Sequence, residues 1–108
     1  MNVIKVGGNE LDEPGFMSSL AEAVAALAEA TILVHGGGKA IGELQGKLGL
    51  VPQKIDGLRV TDEASLAVAQ MVLSGSVNKR IVQALMNRGV QAVGLSGVDS
   101  GLLRCTCL

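Results

Sequence analysis

The sequence predicts an α/β fold, a mostly parallel open sheet with helices on both faces. Three observations predict it. Two short apolar strands, Val3-Ile4-Lys5-Val6 and Thr31-Ile32-Leu33-Val34, each run directly into glycines, Gly7-Gly8 and Gly36-Gly37-Gly38. An alanine-rich stretch with helical spacing lies between them and can serve as the crossover of a βαβ unit, which would bring both glycine turns to one edge of the sheet. The remaining order is helix, short arm, helix, helix, strand.

Val3 to Val6 is the first strand, and Lys5 is its anomaly. A charge inside an apolar strand is costly to bury without a partner, and near the carboxyl end of the strand the ammonium can reach a phosphate. Asn9 to Gly15 is polar, contains Pro14 and reads as a loop. Phe16, Leu20, Val24 and Leu27 then recur at helical spacing, which predicts a helix over Phe16 to Ala30 with one apolar face on the sheet and Phe16 in the core. Thr31 to Val34, ending at His35, has the composition of a strand buried on both faces.

Three consecutive glycines leave backbone N–H groups with no side chain in front of them. The helix read over Lys39 to Leu48, with Ile41, Leu44 and Leu48 on one side, points its N-terminus at the same spot, so the corner suits an anion. Val51 to Asp56, with Pro52, suits a short strand or extended arm, and Gly57 to Val60 follows. Thr61 is a fair N-cap for a helix from Asp62 to Leu73, whose apolar residues are Leu66, Ala69, Met71 and Leu73. Ser74-Gly75-Ser76 is expected to break that helix. Ser76 then caps a last one carrying Val77, Ile81 and Leu85, which stops at Arg88 with Gly89 behind it. Val90 to Leu95 reads as a third, doubly buried strand, and beyond Asp99 the pattern fades.

The chain has 108 residues, 48% hydrophobic, with a formal net charge of −1. One domain or part of one is the expectation. There is no basic surplus for nucleic acid or anionic lipid, and a single aromatic residue, Phe16, offers no stacking platform for bases. No apolar run approaches a membrane span and Met1 to Val6 has no signal-peptide pattern, so a cytoplasmic protein is expected. Cys105 and Cys107, two apart, suit neither an easy mutual disulfide nor a four-ligand zinc site.

Two common phosphate motifs fail on spacing. A Walker loop needs glycine where Leu33 stands and Ser or Thr where Ala40 stands; a dinucleotide fingerprint needs a third glycine where Ile41 stands. What remains is a pair of glycine turns on adjacent strands, Lys5, and Arg59, whose planar fork matches a carboxylate. His35 reads as a structural donor at the strand end, Asn78 and Asp99 as helix-start and turn residues.

Five segments in order, VIKVGG from Val3, ILVHGGG from Ile32, GLRVTD from Gly57, SGSVNK from Ser74 and AVGLSGVD from Ala92, resemble the amino-acid kinase family. Within it they are most similar to the branch that phosphorylates N-acetyl-L-glutamate. The resemblance covers roughly Met1 to Leu103. It implies transfer of the γ-phosphoryl of ATP, carried with Mg2+, to the side-chain carboxylate of N-acetyl-L-glutamate, a step of arginine biosynthesis. It implies that Lys5 is catalytic and touches the phosphoryl in flight, that Gly7 and Gly8 bind phosphate through backbone amides, and that Gly37, Gly38 and Arg59 bind the substrate, Arg59 at its α-carboxylate. No protein metal ligand is implied, and a homodimer is.

The family's nucleotide-binding half has no counterpart here, and the strand-final order does not close. Residues 1–108 are therefore expected to be the N-terminal, acyl-amino-acid-binding part of the domain, with little turnover alone. A sister kinase acting on carrier-bound aminoadipate and a non-catalytic module binding an acidic ligand remain as alternatives.

Overall fold

The computed structural model of the 108-residue chain describes residues 1–51, 53–56 and 58–106, with the backbone alone at residues 53, 54 and 58–60. Strand β1 is Asn2–Val6 and strand β2 is Thr31–His35. They pair in parallel, Lys5 opposite Val34 and Val6 opposite His35, so both enter their glycines side by side. Helix α1, Phe16–Ala25, connects them. It ends five residues before the expected Ala30, and Leu27 lies outside it and exposed. The segment before it is more than a loop: Glu10–Asp12 forms one 3-10 turn that buries Leu11.

Helix α2 is Gly38–Lys47. Beyond it, β3 (Gln53–Ile55) lies within the stretch read as a short strand or extended arm, and it pairs with β4 (Leu58–Val60) in an antiparallel hairpin that was not expected. Asp56 between them has φ 51°, a left-handed conformation that aspartate tolerates better than most residues.

Helix α3 is Glu63–Gln70, and its N-cap is Asp62 rather than Thr61: Ser65 N–H donates to Asp62 Oδ1 at 2.7 Å. The buried stripe of this helix also differs from the expected one. Ser65, Val68 and Val72 face the core, while Leu66 and Met71 are exposed. With apolar residues on all sides of LAVAQMVL, spacing alone does not choose a face.

Ser74-Gly75-Ser76 does not break the chain's helical course. A π-helical stretch, Met71–Val77, carries α3 into helix α4, Asn78–Met86, with helical dihedrals at both junctions. Helix α4 buries Ile81 and Leu85, and the π-helical stretch before it buries Val77, as the spacing predicts. It ends in a Schellman motif: Val90 N–H reaches Leu85 O at 3.1 Å, Gly89 N–H reaches Met86 O at 3.0 Å, and Gly89 has φ 79°.

The core gathers Val6, Leu11, Ala21, Val24, Ile41, Val68, Val72, Val77, Ile81 and Leu85, with Ile4 and Leu33 packed against it. The α/β class and the open parallel sheet are thus as predicted, but the expectation of strands buried on both faces is corrected. Ile32 and Val34 are 48% and 45% exposed, and Val3 and Lys5 share their face, because the helices of this chain cover the side that carries Ile4, Val6 and Leu33. Val90 to Leu95 is likewise not paired as a strand among the described residues, and its Val93 is 83% exposed.

Candidate active site

The two glycine turns meet. A methyl group built on Gly8 would stand 3.0 Å from Gly37 N, 3.2 Å from Gly37 Cα and 3.4 Å from Gly38 N. Those neighbours are backbone and cannot swing aside as a side chain would, so a methyl group here would press the two turns apart by a few tenths of an ångström. Gly36 N–H donates to Val6 O at 3.4 Å, which carries the parallel ladder one step past the strands and locks the turns together. Among the described residues the N–H groups of Gly8, Gly37 and Gly38 have no backbone partner, so they are free to donate. Behind them, Leu73, Val72 and Val77 of the π-helical stretch back Gly37.

Gly38 opens α2, and nothing stands within 4 Å of the position a side chain would take there. The corner therefore combines adjacent unpartnered amides, a helix N-terminus and open space, a geometry suited to an oxyanion. One negative group is already close. The Glu10 carboxylate packs directly against the open side of Gly7.

Lys5 is two residues before Gly7 on β1 and lies on the open face beside Val34. It is exposed, which corrects the expectation of a buried charge. Water reaches that face, so the strand carries the ammonium without a desolvation cost. Among the described residues no ion pair involves it. Arg59 is in β4, opposite Lys54, and its side chain lies outside the described part of the structure. The structure thus brings Gly7, Gly8, Gly37 and Gly38 together at the end of the strand that carries Lys5, and leaves Arg59 located by its backbone alone.

Spacing undervalued Asn78. It is 7% exposed, and its amide joins His35 to the backbone of Leu95. The signal was present: Asn78, Ile81 and Leu85 fall on one helical stripe, so a polar residue sits in an apolar row. Gln45, below Ile41 on α2, repeats the pattern; it is 1% exposed and donates to Ser65 Oγ at 3.1 Å. Asp99 holds a turn as expected, accepting from Ser96 N–H at 2.6 Å.

A sequence model of the Amino acid kinase family matches residues 1–106. The chain belongs to the amino acid kinase family. Among curated members it is 51% identical over 105 residues to the acetylglutamate kinase of Chloroflexus aurantiacus, covering 97% of this chain and 41% of that one. To the acetylglutamate kinase of Roseiflexus castenholzii it is 56% identical over 102 residues, covering 94% and 39%. The chain spans about two fifths of the length of these kinase relatives.

Among solved structures, smu.665 from Streptococcus mutans superposes with a TM-score of 0.71 at 30% identity, over 89% of this chain and 40% of that one. N-acetylglutamate synthase from Neisseria gonorrhoeae, complexed with coenzyme A and N-acetyl-glutamate, gives 0.65 at 34% identity, over 85% and 22%. The kinase-family assignment made from the five segments is therefore borne out.

Proposed function

We propose that this chain is the acyl-amino-acid-binding part of an acetylglutamate kinase, a cytoplasmic enzyme of arginine biosynthesis. The observation that carries the reading is the meeting of Gly8 with Gly37 and Gly38, on a chain half identical to acetylglutamate kinases. In this reading the side-chain carboxylate of N-acetyl-L-glutamate attacks the γ-phosphorus of ATP, a new O–P bond forms, and the bond from phosphorus to the β-γ bridging oxygen breaks. The products are an acyl phosphate and ADP. A carboxylate needs no proton removed before it attacks, so the site requires no general base.

The chain's own task is positioning and charge neutralisation, which is most of what phosphoryl transfer asks of a protein. Gly7 and Gly8 offer amides to the moving phosphoryl and Lys5 offers its ammonium to the same group. Gly37 and Gly38 hold the acyl-amino acid against the helix N-terminus, and Arg59 pairs with its α-carboxylate. Magnesium arrives on the phosphates of ATP. A homodimer belongs to the same proposal.

Calorimetry with acetylglutamate and a coupled ADP-release assay test it. The 108-residue polypeptide is expected to bind acetylglutamate and to show negligible turnover, with Arg59→Ala weakening binding at least about tenfold, the worth of a charge-assisted pair. Absence of binding heat, or equal heat from the Arg59→Ala variant, rejects the assignment of the corner. Robust turnover rejects the division of labour. Tighter binding of an aminoadipate derivative would move the chain to the sister kinase.

A further inference from the structure

The only histidine of the chain stands where β2 enters the glycine corner, and its two ring nitrogens both have partners. Nδ1 is 2.9 Å from the Gly36 carbonyl oxygen. A carbonyl can only accept, so Nδ1 carries the proton. Nε2 is 3.2 Å from Nδ2 of Asn78, an amide nitrogen that only donates, so Nε2 accepts. Both contacts select the same tautomer.

The Asn78 amide is held in turn. Its Nδ2 also donates to Leu95 O at 3.4 Å, and its Oδ1 accepts from Lys79 Nζ at 3.1 Å. Lys79 Nζ donates as well to Gly94 O at 3.2 Å. Turning the amide over would set oxygen against the Leu95 carbonyl and NH2 against an ammonium, so its orientation is fixed. Gly94 has no room for a side chain beside Asn78 and Val82, which is what lets this segment lie against α4.

The effect reaches one bond beyond the ring. In a planar trans peptide the C=O and N–H point in opposite directions. Holding the Gly36 carbonyl against the imidazole therefore sets the direction of the Gly37 N–H. A peptide between two glycines is otherwise among the easiest to rotate.

We infer that His35, in the Nδ1–H tautomer selected by Asn78, is a positioning residue that aims the Gly37 N–H into the glycine corner. The inference rests on the proposed function only for the identity of the ligand. Because the chain has one histidine, a two-bond 1H–15N correlation of the labelled protein shows a single imidazole, and the Gly37 amide is read in the same sample. The neutral ring is expected in the Nδ1–H form, with Nε2 accepting from Asn78. Asn78→Leu should draw the two ring signals together toward a mixture of tautomers.

His35→Asn, which places an N–H donor where Nδ1 stood, should keep both the Gly37 amide position and acetylglutamate affinity. His35→Phe should move that amide and weaken affinity at least about tenfold while far-UV circular dichroism is unchanged. An Nε2–H ring in the wild-type protein overturns the inference. So does His35→Phe with the Gly37 amide and affinity unmoved. Should His35→Phe fail to fold, the wild-type tautomer and His35→Asn decide. Failure of the wild type to bind acetylglutamate would reject the proposed function instead, and the ring and Gly37 signals would still judge the inference.

Discussion

Gly38 is the corner glycine whose missing side chain the fold does not explain. It is the first residue of α2, its surroundings are empty, and alanine is favoured over glycine in a helix interior by up to about 1 kcal/mol, less in the first turn. Gly38→Ala is therefore expected to leave the melting temperature unchanged or raise it, while acetylglutamate affinity falls because the ligand needs that space. A lower melting temperature, or undiminished binding in calorimetry, rejects the role of Gly38. Glu10 makes the opposite case, a carboxylate against Gly7 where an anion is to sit. Glu10→Gln should tighten binding of inorganic phosphate roughly threefold to tenfold at low salt, with the gain shrinking as salt screens the charge. No change in a phosphate titration would show that the carboxylate swings clear. The glycine pairs and Lys5 were legible because their residue types are rare in strands and their order repeats. Glu10 was not, because it is ordinary until the chain folds a second element against it; Asn78 showed only as a polar residue in an apolar row, and its partners His35 and Leu95 come from the fold.

Elements were legible where one local signal dominated. Helix α4 has an apolar stripe and Gly89 just beyond its end, and its buried Ile81 and Leu85 came out as predicted. The β3-β4 hairpin was missed although Asp56-Gly57 between short β-prone segments is a strong turn signal; Pro52 and the brevity of both strands hid it. The helical passage from α3 to α4 was read as a break because Ser74-Gly75-Ser76 disfavours an isolated helix, and tertiary packing of Val72 and Val77 overrode that preference. The start of α3 supports a prediction about pH. Hydrogen bonding from the Ser65 backbone N–H holds the Asp62 carboxyl below its ordinary value of 3.8, and the Ser96 backbone N–H does the same for Asp99. A carboxylate whose pKa is lower in the folded state contributes stability that is fully present above the ordinary value and lost as pH falls through the folded one. Asp62→Asn keeps a capping oxygen without the titration. The urea midpoint of the wild type should exceed that of Asp62→Asn by a constant amount well above the ordinary value of 3.8, and the gap should narrow as pH falls below that value. A gap independent of pH would mean that the cap acts without its charge.

At the scale of the whole molecule, surface is the distinguishing quantity. The chain exposes 7695 Å2, against about 5,600 Å2 expected for a compact monomer of its 11.0 kDa mass. Its radius of gyration of 15.3 Å likewise exceeds the roughly 13 Å of a compact domain this long. Apolar residues contribute to that surface on the open side of the sheet, where Val3, Ile32 and Val34 face water, and along Val93 and Leu95. Thr31 to Val34 and Val90 to Leu95 were expected to be doubly buried strands, and their composition does suit a covered sheet; composition records the environment a segment is built for, not what covers it within this chain. Unpaired strand edges and an apolar face of this kind favour association. The isolated chain should therefore sediment as a concentration-dependent mixture. Ile32→Thr combined with Val93→Thr keeps a β-branched residue at each position while removing apolar surface, so it should shift the population toward monomer with the circular dichroism spectrum retained. Lys5, on the same face, stays untouched in that variant, so a loss of association can be assigned to the apolar surface and not to the charge. A monomer at every concentration, or a double variant that associates as strongly as the wild type, would show that the exposed face is not what brings copies together.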